Sequence, residues 1–334
     1  MPEVLLAKQS DLQAKGRSMH SARSLCLLLI GVPILGLLSS FFIERTSFFQ
    51  KYCQTNWVLS GESIFEANGA HCDIAIYGDS IAVVGVDPDL IEKATHLRTC
   101  NIAESQGAGA VLGTDPLDRF LANNDKPAFL VLLFSPPDYR LRKWEDAPYI
   151  EGVILLSNFY PPETLLRWAT RHPDSVIGMA HYVYVTGARN AWRRIRHDEP
   201  ISHPNALNAH FALPFPPLTG CISLSDVNLD SNLPDPQWIK FLRARYAAKA
   251  DHLMLDVAPA ESSCNPSFTQ IGPMLDGLVD NQYEELPVSY FVDRGGHPSK
   301  QGTNYLSAEI AQQVLTTQAK TLLASQPLTG KTNP

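Results

Sequence analysis

Apolar and polar positions along the chain fall into contrasting regimes, and the first is an unbroken apolar run. Ser24 to Ile43, SLCLLLIGVPILGLLSSFFI, carries no charge between Arg23 and Glu44. Its twenty uncharged residues, at about 1.5 Å rise per residue, match a hydrocarbon layer of about 30 Å, so the run reads as a membrane span. Pro33 and the lack of a polar face argue against a buried core helix. A cleaved leader is the competing reading, because Ser39 and Ser40 resemble a cleavage site. Its apolar stretch would be shorter, about 7 to 15 residues.

Beyond the span the pattern alternates between short buried strands and amphipathic helices. Glu44 to Ala70 is a mixed connector with aromatic residues. Asp73 to Tyr77 is an apolar run that stops at Gly78, Thr99 to Ile102 is a second, Ala128 to Phe134 (AFLVLLF) is a continuous one, and Leu253 to Val257 is a fourth. Pro88 to Thr95, Asp115 to Ala122, Gln237 to Lys249 and Ser299 to about Ala324 have helical spacing, and the second opens with Asp and Pro as helices do. Repeated strand–helix–strand units predict a parallel sheet with right-handed crossovers and a three-layer α/β/α domain.

The expected organisation is a cytoplasmic tail (1–23), a signal anchor (24–43), a connector (44–70), a domain over 71–320 and a C-terminal tail (321–334). Within the domain, about 140–215 reads as a helical insertion, with helices at Pro161 to Arg171 and Asp174 to Arg196. The second of these ends in RNAWRRIR. A solvated basic end is one reading of it. A lid or membrane-facing cap, with Tyr182, Tyr184 and Trp192 near lipid headgroups, is the other.

Charge sets the orientation. Lys8, Lys15, Arg17 and Arg23 precede the span, whereas only Arg45 and Lys51 follow it closely, so the N-terminus is expected to stay in the cytoplasm and the main domain to be periplasmic or extracellular. Residues 1–23 carry a net +2 of the chain's −7, leaving −9 on the other 311 residues. An acidic domain excludes nucleic acid as an expected partner. On the exported side stand Cys53, Cys72, Cys100, Cys221 and Cys264. At most two disulfides can form among five, Cys72 and Cys100 each enter neighbouring predicted strands, and a fully reduced set remains an open alternative. No metal-ligand spacing appears, so neither metal nor cofactor is expected.

Candidate chemistry sits at two places. In DIAIYGDSIA, Ser80 directly follows the first predicted strand, where ligand sites of open parallel sheets cluster. A nucleophilic serine needs a base, a group that orients the base, and donors for an oxyanion. FVDRGGHPSK supplies Asp293 and His297 in one Gly-rich loop before the last helix. Asp293 and Ser299 as mere turn and helix caps is the bland alternative.

These features resemble the SGNH (GDSL-type) hydrolase superfamily. Gly78, Asp79 and Ser80 match its first block, Asp293 and His297 its last, and NIAESQGAG, from Asn101 to Gly109, its second. The resemblance implies an oxyanion hole formed by the amides of Ser80 and Gly107, with Gly109 as the alternative to Gly107. It is closest to membrane-anchored bacterial members, whose Val-Asp-Pro-like turn matches residues 86–88, and those are implicated in O-acylation of cell-envelope or exported polysaccharides beside a multi-spanning membrane acyltransferase. Two features depart from the family. Three residues rather than two separate Asp293 from His297, and SPPDY stands where the family has Gly-x-Asn-Asp.

The expected function is therefore a serine esterase or O-acyltransferase on acyl esters of polysaccharide, held on the cytoplasmic (inner) membrane by a single span. The departures motivate the rival expectation, a non-catalytic anchored scaffold or carbohydrate-binding protein with a degenerate site.

Overall fold

The structure, a computed structural model, describes residues 31, 34–140, 150–197, 207, 213, 215–219, 233–261, 271–293 and 296–325. Residues 24–30, 32 and 33 of the predicted span, with Cys26 among them, and Cys221 and Cys264 lie outside the described residues. Residues 34–43 are helical (α1), and no helix among the described residues is long and apolar enough to cross a membrane.

The chain forms two compact units. One takes the described residues up to Gln54 and those from Pro161 to Ile201, the other those from Thr55 to Tyr160 and from Ser202 onward. The first is helical: α1, α2 (Ser47–Tyr52), α9 (Pro162–Arg171), α10 (Asp174–His181), a π-helical turn over Tyr182–Gly187, and α11 (Ala188–His197). Phe49 of α2 is buried against Tyr182, and a Cβ on Gly187 would lie 2.5 Å from the Phe49 ring, so the absence of a side chain there lets the two segments approach.

The second unit is built on a parallel four-stranded sheet of order β2-β1-β3-β4, from β1 (Ile74–Gly78), β2 (Thr99–Asn101), β3 (Phe129–Phe134) and β4 (His252–Val257). β1 pairs Ile74 with Phe129 and Gly78 with Leu133, and β3 pairs Phe129 with His252 and Phe134 with Val257. Successive strand side chains point to opposite faces, and both faces are covered. Ala75, Tyr77, Leu130, Leu132, Leu255 and Val257 share one core with α3 (Asn56–Glu66), α7 (Asp115–Asn123) and α12 (Pro236–Tyr246). Ile74, Ile76, Phe129, Val131, Leu133 and Met254 share the other with α4 (Ser80–Gly85), α5 (Pro88–Thr95) and α14 (Lys300–Ser325). Burial on both faces explains why AFLVLLF is continuously apolar rather than alternating. The chain leaves β1 for β2 on one side and reaches β3 on the other, so a topological switch point opens at the carboxyl ends of β1 and β3.

Within the region read as a connector, Ser47–Tyr52 and Asn56–Glu66 are helices, each capped by a threonine, Thr46 or Thr55, whose hydroxyl accepts from the amide three residues on. The outer edge of β4 is met by side chains rather than by a strand. The Leu255 amide donates to Asp280 Oδ2 (2.7 Å) and the Val257 amide to Asn281 Oδ1 (2.8 Å). The Asp280 amide and the Asn281 Nδ2 donate in return to the carbonyls of Leu255 and Val257.

Cys72 and Cys100 form a disulfide that joins the start of β1 to β2, and Cys53 is free and buried. Closing a loop across 28 positions restricts the unfolded chain by about 3–4 kcal/mol in the chain-entropy view. Reducing the bond, or replacing both cysteines with alanine, is expected to lower unfolding stability by about that amount, read from urea titrations with and without reductant.

Candidate active site

Ser80 is the first residue of α4, and Asp79 is its N-cap: Asp79 Oδ1 accepts from the Ile81 amide at 2.8 Å. The first amides of a helix have no intrahelical partner, so the Ser80 amide is available to an oxyanion. Asp79 also bridges strands, because its Oδ2 accepts from the Ser135 amide (2.7 Å) and hydroxyl (2.6 Å) just beyond β3. The aspartate of Gly-Asp-Ser thus fixes the turn that presents Ser80 and ties the ends of β1 and β3 together.

His297 approaches from the loop before α14. Its Nε2 lies 3.0 Å from Ser80 Oγ, and its Nδ1 lies 2.8 Å from Asp293 Oδ2. The loop is a small closed structure: Val292 donates to the His297 carbonyl, Phe291 and Pro298 form a bridge, and the His297 amide donates to Asp293 Oδ1. Three residues separate Asp293 from His297; the Gly296 amide donates to the Asp293 carbonyl, and Gly296 takes φ +79°, a conformation that favours glycine. Ser299 caps the start of α14, donating to the Ser289 carbonyl and accepting from the Gly302 amide. Ser80, His297 and Asp293 therefore stand in a hydrogen-bonded line, with the imidazole side chain mostly buried at 17% exposure and the carboxylate at its open end at 36%.

Gly107 is buried in the first turn of α6 (Gln106–Leu112), whose N-cap Ser105 accepts from the Ala108 amide. A Cβ on Gly152 of α8 (Ile150–Phe159) would lie 2.6 Å from the Gly107 carbonyl, so this turn is held tightly from behind. Gly109 instead borders a cavity of about 50 Å³. Tyr77, Gly78, Asp79, Glu104, Gln106 and Asp138 also line it.

Several of these groups carry no motif of their own. Asp138, in SPPDY, accepts from both contacts of Gln106 Nε2 (2.8 and 3.1 Å) and lies 3.0 Å from the Ser135 hydroxyl. One hydroxyl hydrogen serves one acceptor, and the shorter contact goes to Asp79. Trp57 of α3 lies against the His297 ring, centroids 5.5 Å apart, where a π face favours an imidazolium. The Tyr77 hydroxyl donates to Glu104 Oε1, while Glu104 Oε2 is buried without a hydrogen-bond partner. Only the position of Glu104, just after β2, marked it in the sequence.

Burial pushes the Glu104 carboxyl from its ordinary 4.5 up to about 8, with the Tyr77 hydrogen bond acting against that and Asp115 adding to it. Burial, and then the Asp280 charge, push Asp256 to about 8 as well. Between the ordinary carboxyl range and about 8 the folded chain holds protons that the unfolded chain has released. Stability is therefore expected to fall as pH rises through that window, by up to about 1.4 kcal/mol per pH unit for each group. Urea titrations from mildly acid to mildly alkaline pH should show the slope, and Glu104→Gln should reduce it.

Among the described residues no cluster of His, Cys, Asp and Glu is placed to hold a metal ion. Compared with protein families, with curated proteins and with solved structures, the chain matches none.

Proposed function

We propose that the chain is a serine-dependent acyl-transfer enzyme of SGNH type, with a three-layer α/β/α domain, tethered to the inner membrane by Ser24 to Ile43 and acting on acyl esters of cell-envelope or exported polysaccharide. The observation that carries this reading is the line from Ser80 Oγ through both ring nitrogens of His297 to Asp293, at 3.0 and 2.8 Å. Such a line at the carboxyl end of β1, beside a switch point, suits nucleophilic catalysis better than a capping role. The Cys72–Cys100 bond is in keeping with an exported domain.

In the proposed reaction His297 Nε2 takes the Ser80 hydroxyl proton as Oγ attacks the ester carbonyl. Asp293 holds Nδ1–H and favours the imidazolium so formed. The amides of Ser80 and Gly107 receive the developing oxyanion. Collapse of the tetrahedral intermediate breaks the ester bond, and His297 gives its proton to the leaving alkoxide. Water or a sugar hydroxyl, deprotonated by His297, then attacks the acyl-serine and frees Ser80. The family's asparagine donor has no counterpart in SPPDY, and the Gln106 amide is engaged by Asp138, so two amides carry the oxyanion. A multi-spanning membrane acyltransferase is the proposed supplier of acyl groups.

The test is labelling of the full chain in detergent with a serine-directed fluorophosphonate. Labelling that is lost in both Ser80→Ala and His297→Ala supports the reading. A folded, unlabelled wild type overturns it in favour of a non-catalytic anchored binding protein.

A further inference from the structure

The helical unit exposes a row of apolar side chains besides those it buries. Along α10, the π turn and α11, the buried positions are Ser175, Met179, Tyr182, Val183, Gly187 and Ala191. The exposed stripe carries Ile177, Tyr184, Val185, Trp192 and Ile195, and both Trp192 and Ile195 are 64% exposed. These exposed positions recur at helical spacing, so they form one face. On a helix that faces water that face is polar. Here Ser175 to Ala188 contains no Asp, Glu, Lys or Arg. The exposed stripe of α1, Ile34, Leu35, Leu38 and Phe42, is likewise apolar.

The two stripes meet at one side chain. The Tyr184 hydroxyl lies 3.1 Å from the Gly36 carbonyl and 2.5 Å from Ser39 Oγ. Gly36 precedes Ile43 by seven residues, about 10 Å of helix rise. If the span ends near Ile43, Tyr184 therefore lies beneath the membrane surface. The charge of the unit fits the same placement. Residues 34–54 and 161–197 hold eight basic side chains against three acidic, although the rest of the chain is acidic. Arg189, Arg193 and Arg196 are exposed beside Trp192.

We propose that this face is a membrane-docking surface. The Ile177–Ile195 stripe lies in the headgroup and upper acyl region of the leaflet that α1 enters, and the α11 arginines contact anionic lipid phosphates. Apolar contact and arginine–phosphate attraction act together in such interfacial helices, and a tryptophan at their boundary suits the headgroup level. The inference rests on the reading of Ser24 to Ile43 as a span. It adds a second attachment, which holds the helical unit itself against the bilayer rather than on a free tether.

The test uses the full chain reconstituted into vesicles of phosphatidylcholine and phosphatidylglycerol in equal parts, with the acyl chains brominated near their headgroup end. Wild-type tryptophan fluorescence is expected to be quenched relative to unbrominated vesicles, and Trp192→Phe to remove most of that quenching. Tyr184→Trp in the Trp192→Phe background should restore it. Quenching that is the same in wild type and Trp192→Phe, with no recovery in the double variant, overturns the proposal and leaves a protein partner as the occupant of the stripe. Alkaline extraction of the same vesicles reads the span separately. A chain that is released by alkali yet quenched through Trp192 at neutral pH retains the docking face and loses the anchor, whereas a chain that resists release without Trp192 quenching keeps the anchor and loses the docking face.

Discussion

Ser80→Ala is expected to lower hydrolysis of a short acyl ester by about 10⁴-fold or more, and His297→Ala by a comparable factor. On the proposed reading the two groups act as one device, because Ser80 Oγ would become a nucleophile only as His297 Nε2, 3.0 Å away, takes its proton. The Ser80→Ala/His297→Ala double variant should therefore be no slower than either single one. Asp293→Asn should cost less than either, since its carboxylate is open to water that can serve the Nδ1–H in its place. The measurement is kcat/KM for a chromogenic acetyl ester across the four variants. A Ser80→Ala chain that hydrolyses at the wild-type rate would place the chemistry elsewhere, and losses that multiply in the double variant would mean that the pair does not work as a unit.

Gly78→Ala should damage the fold rather than the chemistry. Gly78 lies opposite Leu133 in the sheet, and a Cβ there would lie 1.7 Å from the Leu133 carbonyl oxygen and 2.9 Å from the Ala82 Cβ. Backbone cannot retreat from such a contact without separating β1 from β3, so a loss of about 4 kcal/mol or more is expected. Urea unfolding decides it, with Ser80→Ala as the companion, because that change removes the proposed nucleophile while leaving the packing intact. Near-wild-type stability in Gly78→Ala would contradict the close approach of the two strands. The glycine of Gly-Asp-Ser is, on this account, required by strand packing, and Asp79 by the cap and the strand bridge.

Those strand contacts also show which parts of the molecule can be read from residues alone. β3 was legible because a strand buried on both faces has no polar positions to interrupt it, and Pro88 to Thr95 because its apolar residues recur at helical spacing. α6 was not, since QGAGAVL at seven residues has neither length nor periodicity. The two helices inside Glu44 to Ala70 were missed because the aromatic residues there blur the polar face, although Thr46 and Thr55 cap them as expected of threonine. At the site, Ser80 and the Asp293–His297 loop were visible, each being a local pattern at a strand or helix boundary. Asp79 to Ser135 was not, because it links residues 56 positions apart, and nothing local in SPPDY marks it. Trp57 against His297 is of the same kind, a meeting decided by how α3 lies over the sheet.

The side chains along β4 have a consequence for chains held at high local density. A sheet grows sideways only where amides and carbonyls wait in register for another strand. At Leu255 and Val257 both groups are already taken, by two consecutive residues that behave as a counterfeit strand too short to be extended. At the opposite margin the Asn101 amide is spent on the Leu207 carbonyl. If the chain is tethered as proposed, crowded neighbours would find no open amide or carbonyl at Leu255 or Val257, and this edge would not become a template for fibre growth.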